Sequence, residues 1–322
     1  MRQTKLFLLV LTLSVCSLPL LAQVNDTYVI PVAGYTLGAN GTKWVTELNI
    51  FNPQGYTLKV RADFIPKGGS QGIEVTFPVY ANETFTVPNA LNDLFQVTGA
   101  GGILLATFPE DNPTVPDTVV ARAFLVTSRT YNNASSGTYG QSIPGTWVGL
   151  QADGITAIAN GVTNDDYPAY RIGYRTNVGV LNLSRSSIEV MVAVYDADGS
   201  QVGESIPFNV EPQGLEQFPL SQALADTDLN GGSLEFWIDN DPLGDAVVFP
   251  YASVVDNRSG DAIYKNPVLL ATGHALYPTG KTLTAASANP IVGKRLDLQI
   301  ARRVSASARS LGEIQRAQPV TR

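Results

Sequence analysis

Cysteine is all but missing from this 322-residue chain, and Cys16, the single one, falls inside an apolar leader. A mature chain without it has no thiol nucleophile, no disulfide framework and no thiolate metal site. Histidine is equally scarce. His274 is the only one, so a multi-histidine metal centre is excluded within one chain, and a histidine-based triad would have to use that residue. Charged residues make up 15% of the chain, low for a cytosolic enzyme, and helical periodicity is sparse. With cross-linking absent, any domain must be held by its hydrophobic core, which domains of about a hundred residues can supply.

What is present is the composition of a turn-rich all-β protein. Glycine (29) and proline (20) are plentiful, and threonine, valine, asparagine and serine recur throughout. Residues Met1–Ala22 read as a secretory signal: Arg2 and Lys5 open it, Leu6–Leu13 is apolar but for Thr12, and Leu20-Leu21-Ala22 precedes a cleavage point at Gln23. The run is shorter than the ~20 residues a membrane span needs. Val15 fits poorly before a lipidated Cys16. No second apolar stretch of spanning length follows, so the expectation is a secreted, periplasmic or extracellular protein with no transmembrane segment after cleavage. Charge is uneven. Residues 23–280 hold 26 acidic against 11 basic side chains, and residues 281–322 hold 8 basic against 2 acidic. The acidic body argues against nucleic acid as a partner. The basic tail reads as a solvated, partly disordered extension, or as a segment that touches an anionic surface or the acidic body itself.

The pattern in Lys43–Ile65 organises the chain. Trp44, Thr46, Leu48 and Ile50 share one strand face. Asn52-Pro53-Gln54-Gly55 turns the chain, and Leu58, Val60, Ala62 and Phe64 continue inward while Lys59, Arg61 and Asp63 face water. Each large inward side chain contributes roughly 1.5–3 kcal/mol on burial, so the register is fixed. The same pattern returns 130 residues later as Gly173–Tyr195, with Trp44 falling on Tyr174, Thr46 on Thr176 and Asn52 on Asn182. Further matches keep their order, including Gly101-Gly102 on Gly231-Gly232 and Ser128 on Ser253. The sequence therefore predicts a tandem duplication.

Between these hairpins, Ala90–Phe95 has the spacing of one or two helical turns, and Val119–Thr127 reads as a central strand buried on both faces. The outward residues of the second hairpin, Glu189, Met191 and Ala193, are more apolar than those of the first and are expected to be covered.

The phrases YRTNVGVLN, YDADGSQVG, YASVVDNRSGDAIY and SRTYNNASSGTYGQ resemble a family of uncharacterised secreted bacterial proteins with tandem immunoglobulin-like β-sandwich modules. The resemblance spans Tyr28 to Pro267 and implies a scaffold; it carries over no activity and no site residue. The expected organisation is a signal peptide (1–22), one sandwich (23–143), a second (144–267), each with a short helix, and a basic extension (268–322).

Candidate chemistry is thin. Asp226, Asp228 and Asn230, followed by Gly231, resemble the opening of a calcium loop, but Trp237 stands where a bidentate glutamate belongs. Acid pairs for a glycosidase exist on paper among Asp63, Glu189, Asp196, Asp198, Asp239 and Asp241, mostly in turns or on outward positions. Trp44, Trp147 and Trp237 could stack on sugars, although Trp44 reads as core. The expectation is a non-enzymatic structural, adhesive or cell-surface interaction protein without a cofactor, whose partner is a protein or glycan. A carbohydrate-binding module is the alternative, and a carboxylate hydrolase a more distant one. The loops Pro109–Asp117, Asn132–Gln141 and Ala159–Pro168 are the expected functional surfaces.

Overall fold

A computed structural model describes residues 25–38, 41–69, 72–151, 155–165, 172–224, 228–270 and 294–305. The fold is antiparallel β-sandwich, with short helices only, as the composition predicts. In the first unit, β1 (Thr27–Leu37), β2 (Lys43–Phe51), β3 (Leu58–Pro66), β4 (Ile73–Val79), β5 (Thr84–Val87), β6 (Gly99–Ala106), β7 (Leu125–Ala134) and β8 (Gly137–Pro144) form one sheet in the order β4-β3-β6-β1-β2-β7-β8, with β5 added to β2. β1 is the corner. Its register against β6 shifts between Ile30 and Ala33, and Tyr35–Leu37 pair with β2. Pro31 sits inside that shift and has no N–H to give to a ladder, so the strand bends there and the sheet folds over on itself.

The second unit follows a short strand β9 (Val148–Gly149). It comprises β10 (Thr156–Asn164), β11 (Tyr174–Asn182), β12 (Ile188–Tyr195), β13 (Ile206–Val210), β14 (Gly214–Pro219), β15 (Leu229–Asn240), β16 (Val248–Asp256), β17 (Ala262–Lys265) and β18 (Val268–Leu270). These make two sheets, β13-β12-β15-β10-β18 and β14-β11-β16-β17. Strands β10 to β17 pair with one another in the same scheme as β1 to β8, apart from the β1–β2 link.

One polar side chain does the same task in both units. Asn52, fully buried, donates through Nδ2 to the carbonyls of Tyr56, Val79 and Tyr80 and accepts from the Gln54 amide. Asn182, also fully buried, donates to Ser186, Val210 and Glu211 and accepts from the Ser184 amide. Each ties the turn after its strand to the end of the strand opposite.

Three expectations are overturned. Arg61 and Asp63 do point outward, but they are buried, at 3% and 1% exposure. Arg61 lies 4.2 Å over the Phe108 ring and pairs with Asp111, while Asp63 accepts from Ser305 Oγ at 2.7 Å, so other elements cover that face. Val119–Thr127 is not one buried strand. Thr118 caps a helical turn at Val119–Arg122, Val120 is 70% exposed, and the strand starts at Leu125 with alternating burial. The reason is Arg122, which turns inward to Asp26 at 3.1 Å and to the Thr107 carbonyl. Finally, Asn132–Gln141 is a hairpin of β7 and β8, and Ala159–Asn164 belongs to β10, so neither is a free loop there. The helical turn at Ala90–Asp93 is as expected.

Part of the basic extension is built into the body. Residues 294–295 pair with β9, and a helix over residues 298–305 follows. Leu296, Ile300, Ala301 and Val304 are buried in the hydrophobic core of the first unit. Arg302 meets Glu110 of that unit at 3.1 Å, and Arg303 meets Asp245 of the second at 2.9 Å. On the second hairpin, Ala193 is buried and Glu189 and Met191 are half-buried.

The two units share apolar surface. Leu181, Leu215, Phe249 and Tyr251 of the second unit belong to the core cluster that contains β1, β3 and β6 of the first. The outer face of β11 and β16 is therefore an interface, and this is why β16, unlike β7, is buried on both faces. A separate cluster, with Val178, Val190, Val192 and Phe236, fills the second sandwich.

Candidate functional site

Beside that apolar contact the units part to leave a cleft of about 400 Å³. Its floor comes from period-2 alternation on adjacent strands: Arg175 and Asn177 on β11, and Tyr251, Ser253 and Val255 on β16. One wall is the second half of β1 with Trp44 of β2, and Ala100, Thr130, Gln141, Gln217 and Pro219 complete the lining.

The floor orders its amides. Ser253 Oγ donates to Gln141 Oε1 across the units at 2.8 Å, and Tyr251 OH donates to Gln217 Oε1 at 2.6 Å. Burial, and then the neighbouring Tyr264, push the Tyr251 phenol well above its ordinary value, so it stays protonated and donates. Gly179 lies opposite both Gln217 and Tyr251, and a Cβ there would overlap the Tyr251 ring. The glycine thus lets the phenol lie flat against the strand and reach Gln217. Arg175 Nη1 donates to Asn257 Oδ1 at 2.7 Å. No carboxylate is among the described residues that line it.

Trp44 is half-buried at this cleft and Tyr174 is 41% exposed, so neither is the core aromatic that the pattern suggested. They sit at the strand start, beyond the last layer of core. Trp147 packs edge-on to Tyr28, with ring centres 5.5 Å apart. Phe236 is the inward residue of its pair, and Trp237 points to the opposite face.

The remaining candidates are dispersed. Asp226 and His274 lie outside the described residues. Asp228 is exposed before β15, and Asn230 is exposed within it, opposite Thr163. Asp196 and Asp198 occupy one exposed turn, where Asp196 accepts from the amides of Asp198 and Ser200. Hydrogen bonds from Ser200 and Asp196 hold the Asp198 carboxyl below its ordinary value. Asp241 accepts from the Asp245 and Ala246 amides. Asn112, in the loop expected to be functional, is buried and braces β3 through Lys59. Among the described residues no group of three potential metal ligands comes together.

The cleft residues were missed because amides on alternating strands read as solvated positions. The available signal was the run of β16, where apolar side chains fall on both faces.

No protein-family model matches the chain, and no curated protein matches it. Solved structures that are weakly similar include these two. One is a protein inferred to be secreted, from Parabacteroides distasonis ATCC 8503, at 10% identity over 77% of this chain and 91% of that one, with a TM-score of 0.20. The other is β-glucuronidase 2 of Bacteroides uniformis, at 10% identity over 88% of this chain and 32% of that one, with a TM-score of 0.17. Likenesses of that size carry no argument about this chain. Among the described residues no helix is long and apolar enough to cross a membrane.

Proposed function

We propose that the chain is an exported, non-enzymatic interaction protein: two immunoglobulin-like sandwiches, related by duplication, that hold a recognition cleft between them. The observation that carries this is the chemistry of the cleft lining. Among the described residues it offers amides, hydroxyls, an indole and a guanidinium, but no carboxylate that could serve as acid or base. The matching strand pairings and the matching Asn52 and Asn182 networks support duplication. Export rests on the leader sequence, Met1–Ala22.

The partner is a protein or glycan outside the cell, and Trp44 in the cleft favours the glycan. Retention on insoluble polysaccharide, lost in Trp44→Ala with the melting temperature unchanged, is the expected result. Hydrolysis of any glycan, abolished by a single Asp or Glu substitution, would overturn the non-enzymatic reading.

A further inference from the structure

The polar lining of the cleft leans towards donors, with the Asn177 amide supplying an acceptor as well. Gln141 and Gln217 each have their Oε1 occupied by a hydroxyl, from Ser253 and Tyr251, and that fixes which end of each amide is left over. Neither Nε2 has a partner among the described residues, and neither is a closed-off buried atom. The two hydroxyls stand on one face of β16, two residues and so about 7 Å apart at the backbone. They present a pair of N–H donors to the same space, which the Trp44 indole and the Arg175 guanidinium also line. The body of the chain holds 26 acidic residues, yet none of the described ones lines this cleft. A donor-rich, carboxylate-free lining beside an indole selects a ligand with a flat apolar ring face and a group that only accepts hydrogen bonds.

We propose that the cleft binds an acidic sugar, with the pyranose ring against Trp44 and the carboxylate on the amide donors of Gln141 and Gln217. This rests on the reading of the cleft as a recognition site and adds the ligand class. A neutral sugar would fill the same space, but its hydroxyl protons would meet few acceptors. An acidic peptide could satisfy the donors but would lack the ring.

The test is calorimetric titration of the protein with trigalacturonic acid, its methyl ester and triglutamate. The acid should bind at least about tenfold more tightly than either, the difference expected of a charge-assisted over a neutral hydrogen bond. Gln217→Glu and Gln141→Glu keep the acceptor oxygen that each hydroxyl needs and replace only the N–H donors. Each should weaken the acid by about tenfold or more and weaken the ester less, because the ester loses only a neutral hydrogen bond. Trp44→Ala should weaken both sugars. Equal binding of acid and ester, still lost in Trp44→Ala, would overturn the acidic ligand but keep the recognition cleft. Triglutamate binding as tightly as the acid would overturn the sugar. No binding of any probe would overturn the acidic sugar, and polysaccharide retention indifferent to Trp44→Ala would overturn the cleft as well.

Discussion

An asparagine amide matches the backbone in both its donor and its acceptor, and at positions 52 and 182 all of that capacity is turned on main-chain groups. Alanine at either position would strip the donor from buried carbonyls at two places at once, at roughly 1–3 kcal/mol for each group left unsatisfied. Asn52→Ala and Asn182→Ala should each lower stability by about 3 kcal/mol, read as a fall in the urea midpoint at constant slope. Aspartate should be no better, because it keeps the acceptor but sets a carboxylate against three carbonyls. Gly179→Ala should displace the Tyr251 ring and release Gln217, seen as a blue shift in the near-ultraviolet tyrosine absorbance difference spectrum. The sequence showed that Asn52 falls on Asn182 and that both sit at a turn. It did not show that they are buried, since a turn asparagine reads equally well as solvated. Arg61 and Asp63 failed for a related reason. Strand alternation fixes the side of the sheet a residue faces, but what lies over that side is a long-range fact.

The helix over residues 298–305 is that long-range fact for the first hairpin. Leu296, Ile300, Ala301 and Val304 make an apolar stripe at spacings of four, one and three, which is helical. The eight basic residues of the surrounding segment drew the reading toward a solvated tail instead. Ile300→Ala should cost about 3 kcal/mol, as core truncations do, with protection lost from backbone exchange in β9 as well as the helix. Acid should loosen the same element. Burial alone would raise the Asp245 carboxyl, but hydrogen bonds and charge from Arg185 and Arg303 outweigh it and hold the group below 3.8. A depressed carboxyl contributes stability that is fully present above 3.8 and is lost as pH falls through the lower folded-state value. The wild type should therefore exceed Asp245→Asn at neutral pH, with the gap in urea midpoint closing below pH 3.8. Asp26 works in the opposite sense. Burial raises it despite Arg122, so its contribution weakens as pH rises from 3.8 through the raised value. Comparing Asp245→Asn with the wild type at each pH isolates the clamp from that background.

At the scale of the molecule the two units are coupled by apolar contact as well as by the helix. Leu181, Phe249 and Tyr251 lie on the outer face of a sandwich sheet, where a free unit would meet water, and here all three are buried. The alternation of β7 and the all-buried run of β16 carry this difference, and it is visible in the sequences as Leu-Val-Thr-Ser-Arg against Val-Phe-Pro-Tyr-Ala. Which surface would cover the second face was not visible, because residues far apart in the chain supply it: Gly102 of β6 lacks the side chain that would otherwise hold Leu181 away. A fragment of residues 144–270 should then expose a contiguous apolar face and self-associate, while the whole chain stays monodisperse in the same buffer. In the intact protein the shared core should make unfolding a single calorimetric transition. Leu181→Asp places a charge in the contact without touching either sandwich interior, so it should split that transition in two and leave the far-ultraviolet spectrum at low temperature unchanged. A single transition that merely moves to lower temperature would mean that the units are coupled elsewhere. The helix is then the remaining link, and Leu181→Asp combined with Ile300→Ala should separate them.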